Sequence, residues 1–596
     1  MRIRNAALFD HMLAVSTSNL QPLPHQLRAV YGAMLPRTPL RFLLADDPGA
    51  GKTIMAGLLI KELKNRGLIK RILLVTPANL TFQWQREMKE KFREQFQIVR
   101  GDILRSSYGV NPWVEYDQAI TSISWISVIP DAQDSLLKSH WDLVIVDESH
   151  KMSASSPDHK TLAYQMGEKL ADRTDHLLLM TATPHKGDPK AFRLFLELLD
   201  KDVYGDVRSL EEAMRRNSAP FYLRRVKEAL VTFPDPVTGK SKAIFTQRKV
   251  NTAEFQIDAD EWDFYDDLTR YVEDQSIKAS ADNSPAGRAM GFTMAMLQRR
   301  FASSVYACRR TLQRMVEKRQ KILADPAAYR REQIAKRLPD DFEELPDDEQ
   351  EDILAELEGM VSSVDPDDLR QEITQLQRLI NQALQLERGE IESKLVKLKQ
   401  VLTDQGVFKD RKMKLLLFTE HKDTLDYLVG KLREWNLTVT QIHGGMKIGD
   451  RDMPGTRICA EREFKEAAQV LVATEAAGEG INLQFCWMLI NFDIPWNPVR
   501  LEQRVGRIHR YGQEHDCLII NFVAQNTREG RVLQKLLDRL AEIRKDLGTD
   551  QVFDVVGEVF PSNLLEQLLR KMYARQTDER QIEDRIVRDV SPERFR

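Results

Sequence analysis

LLADDPGAGKT, residues Leu43 to Thr53, is an apolar run that stops at two carboxylates, turns through glycines and reaches Lys-Thr. The stretch that follows, Ile54 to Leu63, reads as a helix. The order predicts a strand, an anion-cradling loop and a helix N-terminus. There the backbone N–H groups from Gly49 to Lys52 and the helix dipole favour negative charge. Gly49 and Gly51 let backbone approach a phosphate with no Cβ in the way. Lys52 brings a point charge to β and γ phosphates, and the Thr53 hydroxyl is a natural magnesium ligand. The fit to GxxxxGK[ST] is incomplete, because Asp46 stands where the first glycine belongs.

Working outward, Arg71–Thr76, Ala119–Ser122, Asp142–Val146 and His176–Met180 read as buried strands with helical stretches between them, such as Thr81–Phe92. Strands alternating with helices predict a doubly wound parallel sheet, with ligands at the strands' carboxyl ends. The pattern changes after Pro234-Asp235-Pro236. Ala259 to Leu402 reads as long, charged helices, with an apolar stripe at Ile373, Leu376, Ile380, Ala383 and Leu384 that suits a helical hairpin. At Lys414 the α/β rhythm resumes with KLLLF, VTQIHGG, VLVAT and MLINFD. The expected organisation is a terminal segment (1–20), an α/β lobe (21–235), a helical connector (236–405), a second α/β lobe (406–526) and a helical tail (527–596).

The polar motifs fall where such sheets bind ligands. Strand Val144–Val146 delivers Asp147-Glu148-Ser149-His150. Asp147 can hold Mg²⁺ while Glu148 orients and deprotonates an attacking water. MTATP, Met180 to Pro184, sets two hydroxyls at a neighbouring strand end, where they can sense that pair. In the second lobe TEAAGEGINL (Thr474–Leu483) makes a tight loop through Gly478 and Gly480. EQRVGRIHRYGQ (Glu502–Gln513) then spaces Arg504, Arg507 and Arg510 three residues apart, one face if all lie on a helix. The arrangement suits arginine fingers that complete a γ-phosphate site.

Composition limits the alternatives. A chain of 596 residues is too long for one core. No apolar run approaches the roughly 20 residues a spanning helix needs. MRIRNAALFDHMLAV lacks a small-residue cleavage site, and Cys308, Cys459, Cys486 and Cys517 show no CxxC spacing. A reducing cytoplasm is therefore expected, with neither a zinc site nor a disulfide framework. Net charge is −3, but Leu338 to Lys394 holds 18 Asp/Glu against 4 Lys/Arg, which leaves +11 for the remainder. A mildly basic body with one acidic appendage suits a polyanion partner. The appendage either is a solvated face or mimics nucleic acid and occupies a basic cleft.

From Leu20 to Ala524 the chain resembles a Snf2-type member of helicase superfamily 2. The resemblance rests on an ordered set: PHQ with Gln26, DDPGAGKT, VTPANLTFQWQREM, VDESH, TATP, YLRRVKEAL, LLLFTEHKDTLDYL, TEAAGEGINL and QRVGRIHRYGQ. The family writes its loop DExGxGKT, which accommodates Asp46. Asp493-Ile494-Pro495-Trp496-Asn497-Pro498 stands where the family commonly has DPWWNP. This departure resembles the bacterial RapA-like subgroup, the RNA-polymerase-recycling ATPases, and LQRRFASSVYACRRTL resembles the wider group that includes Snf2-type ATPases of DISARM-like anti-phage systems.

The resemblance implies two RecA-like lobes that bind ATP and Mg²⁺ between them. It implies Gln26 at adenine, and Gly49, Gly51, Lys52, Thr53, Gly480 and Gln503 at the nucleotide. Asp147 and Glu148 would be the catalytic pair, with Arg507 and Arg510 as fingers. It also implies sequence-independent contacts to double-stranded DNA at Thr76, Pro77, Asn79, Thr121, Ser122, Thr419, Glu420, Thr474 and Glu475. Three readings stay open: a duplex-tracking translocase, serving phage defence or nucleoprotein remodelling; an ATPase acting on RNA polymerase; and a DNA-binding subunit whose ATP site only clamps.

Overall fold

The computed structural model describes residues 12–47, 49–106, 111–152, 154–182, 189–200, 221–225, 230–234, 238, 240–281, 285–325, 347–361, 363, 365–390, 392–447, 452–475, 483–547 and 564–589. Among them, no helix is long and apolar enough to cross a membrane. The chain divides into two compact units. The first runs to Phe245 and includes Arg510–Gly512, and the second begins at Thr246.

In the first unit the strands are β1 (Arg41–Leu44), β2 (Ile72–Thr76), β3 (Gln97–Ile98), β4 (Gln118–Ser122), β5 (Trp141–Val146), a small hairpin of β6 (Ala154–Ser156) and β7 (His159–Lys160), β8 (Thr174–Met180) and β9 (Tyr222–Leu223). Seven form one parallel sheet in the order β3-β4-β2-β5-β8-β1-β9. Every residue of β2 is buried, as a parallel strand covered on both faces requires. Alternate residues feed two separate cores. Leu43, Leu73, Val75, Val144 and Leu179 enter one, while Phe42, Leu44, Leu74, Ile145 and Leu178 enter the other. Helices α1 (Lys52–Asn65) and α2 (Thr81–Glu87) follow β1 and β2.

The second unit starts with a strand that the helical-connector reading misses. Arg248–Phe255 is β10 and pairs in parallel along its whole length with β15. Its exposed and buried residues alternate in part, as at a sheet edge, so it lacks the continuous apolar run that marks the inner strands. Among the described residues six helices follow: α3 (Ala259–Ala281), α4 (Pro285–Ser303), α5 (Val305–Ala324), α6 (Asp347–Leu357), α7 (Pro366–Gly389) and α8 (Ser393–Asp404). The remaining elements are β11 (Leu415–Phe418), α9 (Lys422–Glu434), β12 (Val439–Ile442), β13 (Val470–Ala473), β14 (Met488–Asn491), α10 (Pro498–Ile508), β15 (Cys517–Ala524), α11 (Arg528–Leu547), α12 (Leu564–Tyr573) and α13 (Glu579–Asp589). The sheet runs β10-β15-β14-β11-β13-β12, all parallel. Two doubly wound sheets joined through a long helical segment is the fold class that the sequence predicts.

The α7 stripe is shifted from its sequence reading. Ile373, Leu376 and Ala383 are buried as expected, but Leu379 and Leu386 complete the stripe while Ile380 and Leu384 sit half-buried at its margin. Within this packing Arg319 of α5 is fully buried and donates to Glu372 at 2.8 Å, and Glu372 also accepts from Tyr271 at 2.7 Å.

Asp493, in the segment that replaces DPWWNP, ties the helices to the second sheet. Its carboxylate accepts from Lys394 Nζ, Ser303 Oγ and Thr419 Oγ1, each at 2.6 Å, and from the Glu420 amide at 3.0 Å. Burial pushes this carboxyl up, but the Lys394 ammonium and the hydroxyl bonds outweigh it and hold the group at about 2 against an ordinary 3.8. A depressed carboxyl contributes stability that is complete above the ordinary value and lost as pH falls through the folded value. Asp493→Asn is therefore expected to cost about 2 kcal/mol at neutral pH. Its deficit against wild type should shrink between about pH 4 and pH 2, as read by denaturant midpoints across that range. A deficit that does not change with pH would mean that the carboxylate's charge is not what matters.

Candidate active site

The carboxyl ends of β1, β8 and β5 lie side by side, with Leu44 opposite Met180 and Leu179 opposite Val146. This register brings the glycine loop, Thr181 and Asp147-Glu148 to one rim of the sheet. Thr183 and Pro184 of the TATP motif lie outside the described residues, as does Pro48 of the loop.

The loop needs its glycines. Gly49 and Gly51 have φ of 87° and 88°, in the left-handed region. A Cβ on Gly51 would come within 2.4 Å of Gln26 Nε2. Gln26, expected at adenine, is buried against this loop; its Oε1 accepts from the Leu23 amide at 2.9 Å and its Nε2 donates to the Ala50 carbonyl at 3.4 Å. His25 Nε2 lies 2.9 Å from the same Ala50 oxygen, so that nitrogen carries the ring proton. Burial lowers the His25 pKa, which keeps the ring neutral.

Asp46, the departure from the glycine pattern, is fully buried and ion-paired to Arg225. Arg225 Nε lies 3.2 Å from Asp46 Oδ1, and the same guanidinium donates to the His25 carbonyl. One arginine therefore braces both the loop and the PHQ turn. Lys52 and Thr53 open α1. The Lys52 ammonium rests on the loop's own carbonyls, donating to Asp46 O at 2.6 Å. The positive-φ turn, a cation at the helix head and the absence of bulk at Gly51 together fit a polyphosphate.

Asp147 is buried and has both oxygens engaged. Oδ2 accepts from the Trp84 indole N–H at 2.8 Å, and Oδ1 accepts from the Glu148 amide at 3.0 Å. Burial and the adjacent Glu148 push its carboxyl up, opposed by Trp84 and Lys52. Glu148 adopts φ 47°, ψ 45°, a left-handed conformation uncommon for a residue with a side chain. Burial alone would raise its carboxyl, but His150 and Lys52 outweigh that and hold it low. His150 Nδ1 is 3.3 Å from Glu148 Oε2 and 3.0 Å from Thr181 Oγ1, so one ring nitrogen joins the carboxylate to the β8 end. Ser149 Oγ donates to Met180 O at 3.1 Å and closes the same junction.

In the second unit, the three-residue spacing of arginines does not make one helical face. α10 ends at Ile508, and Arg510 lies beyond it and groups with the first unit. His509 Nε2, 2.7 Å from Thr246 O, and the positive φ of Gly512 mark where the chain leaves the helix. Arg504 is wholly buried. It pairs with Glu475 and donates to Asn491 Oδ1 at 2.9 Å and Asp493 O at 2.7 Å. Arg507 and Gln503 are half-buried on α10, and Gly480 lies outside the described residues.

The expected nucleic-acid residues are mostly turned inward. Thr76, Thr121, Thr419 and Thr474 are buried, and the first three spend their hydroxyls on Pro77 O, Val99 O and Asp493 respectively. Ser122 caps a helix by accepting from Trp125 N. Glu420 and Glu475 are ion-paired to Arg299 and Arg504. A carboxylate would repel a phosphate in any case, so at these positions only backbone groups are suited to that contact. The Asn79 side chain lies outside the description.

Sequence reasoning missed Trp84, Arg225 and the His150–Thr181 link. Trp84 and Arg225 sit in stretches recognised as motifs, QWQREM and YLRRVKEAL, but without a role. The available signal was Asp46 itself, since a carboxylate in a buried loop requires a cation.

Comparison with known proteins matches residues 25–299 to the SNF2-related domain and residues 393–512 to the helicase conserved C-terminal domain. The chain is 30% identical over 563 residues to the uncharacterized ATP-dependent helicase YqhH of Bacillus subtilis (strain 168), covering 94% of this chain and 85% of that protein. It is 29% identical over 538 residues to the RNA polymerase-associated protein RapA of Pseudomonas aeruginosa (strain LESB58), covering 89% of this chain but 50% of RapA. The chain thus spans about half the length of that relative. Among solved structures, the Pyrococcus furiosus Hef helicase domain matches over 86% of this chain and 97% of its own, at 14% identity and a TM-score of 0.47.

Proposed function

The chain belongs to the SNF2-related family of helicase-like ATPases, and from that premise we propose that it spends ATP on translocation along duplex DNA, tracking phosphates and not bases. The observation that carries the chemistry is the shared rim of β1, β8 and β5. There the glycine loop, Lys52, Asp147 and Glu148 stand together. In this reading Lys52 and the α1 N-terminus hold the β and γ phosphates, while Thr53 and Asp147 hold magnesium. The metal, when bound, neutralises charge on the phosphate oxygens. Trp84 fixes the Asp147 rotamer. Glu148, kept ionised by His150, takes the proton of the attacking water. His150 and Thr181 carry the state of that carboxylate to the end of β8. Arg507 and Arg510 supply the fingers.

Duplex tracking is supported by the family and by the basic charge outside the acidic appendage. The four cysteines are free, which fits a reducing cytoplasm. The specific task is a further step, with phage defence and nucleoprotein remodelling both compatible with this engine. A second reading, action on RNA polymerase, is favoured by the RapA relatives and by the Asp493–Pro498 segment.

The test is ATP turnover without nucleic acid and then with duplex DNA, single-stranded DNA and RNA across a salt series. Strong duplex stimulation that weakens with salt is expected, with a slope of about −0.9 per phosphate contacted. No stimulation by any nucleic acid would overturn the translocase reading and transfer the lead to a protein partner such as polymerase.

A further inference from the structure

Arg225 stands just past β9 and reaches back into the first unit's nucleotide loop. Its Nε lies 3.2 Å from Asp46 Oδ1 while Nη2 takes Asp46 Oδ2, a forked pair on a carboxylate that has no exposure to solvent. Nη1 donates to the His25 carbonyl, and Nη2 also lies 3.4 Å from Met55 Sδ of α1. The Arg225 carbonyl accepts from the Asp47 amide at 3.3 Å. Loop, helix and PHQ turn therefore meet at one guanidinium.

The turn carries Gln26, and the hydrogen bonds fix which way that amide faces. Oε1 accepts from the Leu23 amide at 2.9 Å, so the amide nitrogen is the atom 3.4 Å from Ala50 O. Each end keeps capacity, because the oxygen has a second lone pair and the nitrogen a second N–H. An acceptor beside a donor matches adenine, which offers N6–H₂ and N7 along one edge. Guanine offers O6 and N7 there, two acceptors, so the Gln26 oxygen would meet oxygen. Selectivity of this kind requires the amide to be held within about 0.5 Å. Gln26 and His25 both tie the turn to the loop through the Ala50 carbonyl, and Arg225 adds the charged tie that joins the same turn to Asp46.

We propose that Arg225 is a positioning residue for base selection: acting through the His25 carbonyl, it sets the Gln26 amide against the phosphate loop so that the site takes adenine nucleotides in preference to guanine nucleotides. The proposal rests on the placement of Gln26 at adenine and adds the group that makes this placement selective. A forked cation is required. A lysine ammonium is a point charge that can stay on Asp46 but has no second arm for the His25 carbonyl. The apolar contact of Leu23 with Ala50, Leu230 and Ile244 keeps the turn beside the loop when that arm is lost.

The experiment measures equilibrium binding of ATP, GTP and tripolyphosphate, each with Mg²⁺, to the full chain by calorimetry. Wild type is expected to prefer ATP over GTP by about tenfold or more, the worth of one bidentate base contact, and Gln26→Ala to lose that preference. Arg225→Lys should lose it as well, with ATP weakened to the level of GTP while tripolyphosphate binds as in wild type. The double variant D46N/R225M removes both charges together and leaves no buried ion unpaired, so it carries the test of base preference if Arg225→Lys does not fold. Preference for ATP kept in either variant, or an equal loss for ATP, GTP and tripolyphosphate in Arg225→Lys, would overturn the proposal, while the adenine reading stands as long as Gln26→Ala loses the preference. A Gln26→Ala chain that prefers ATP as strongly as wild type would overturn that reading and the proposal with it.

Discussion

Glu148→Gln is expected to lower kcat by about 10²–10⁴-fold, the usual contribution of a positioned general base, while leaving ATP affinity unchanged. The geometry explains why the effect should be confined to chemistry. Glu148 sits at φ 47°, a backbone conformation that costs on the order of 1–3 kcal/mol and persists only where neighbours enforce it. Here its amide donates to Asp147 Oδ1 at 3.0 Å, and its carbonyl accepts from Lys151 N at 3.0 Å. Gln has the same shape and makes no new demand on that backbone. Its amide cannot accept the proton of a water, and it has no charge for His150 to stabilise. Single-turnover hydrolysis should collapse while equilibrium binding of ATP holds. Retained turnover would move the base elsewhere, with Asp147 next in line.

The two sheets are legible because inner parallel strands read as unbroken apolar runs and their polar motifs follow at once, as with Val144–Val146 and Asp147-Glu148. β10 is not, because an edge strand mixes Lys249, Asn251 and Glu254 into its pattern. Residue types at the nucleotide loop are equally legible, since glycine, lysine and threonine have few other reasons to stand together before a helix. What stays hidden is the partner of each buried charge. Asp46 and Arg225 are 179 positions apart, Lys394 and Asp493 are 99, and Arg319 and Glu372 are 53. No periodicity spans such distances, and charge composition cannot distinguish a solvated arginine from a buried one. The same blindness makes Arg504, Arg507 and Arg510 look equivalent.

Arg504 and Arg510 should in fact fail in opposite ways. Arg504 lies under the second sheet's loops with its guanidinium stacked 4.9 Å over the Phe418 ring, paired to Glu475 and bonded to Asn491 and Asp493. Arg504→Ala leaves the Glu475 carboxylate without its cation and opens a cavity beside Phe418. Breaking a buried pair from one side typically costs about 3–5 kcal/mol. The unfolding midpoint of the second unit should fall accordingly, and activity should fall with it by loss of folded protein. Arg510 is half-buried and lies past the end of α10, so its truncation leaves the hydrogen bonds of that helix in place and buries no charge without its partner as Arg504→Ala does. Arg510→Ala should unfold at the wild-type midpoint and bind ATP normally, yet lose about 10³–10⁵ in nucleic-acid-stimulated kcat, the worth of an arginine finger. Unfolding and steady-state kinetics on the two variants side by side decide the assignment. A stable but inactive Arg504→Ala would make that residue a finger despite its burial, and an unstable Arg510→Ala would return it to the scaffold.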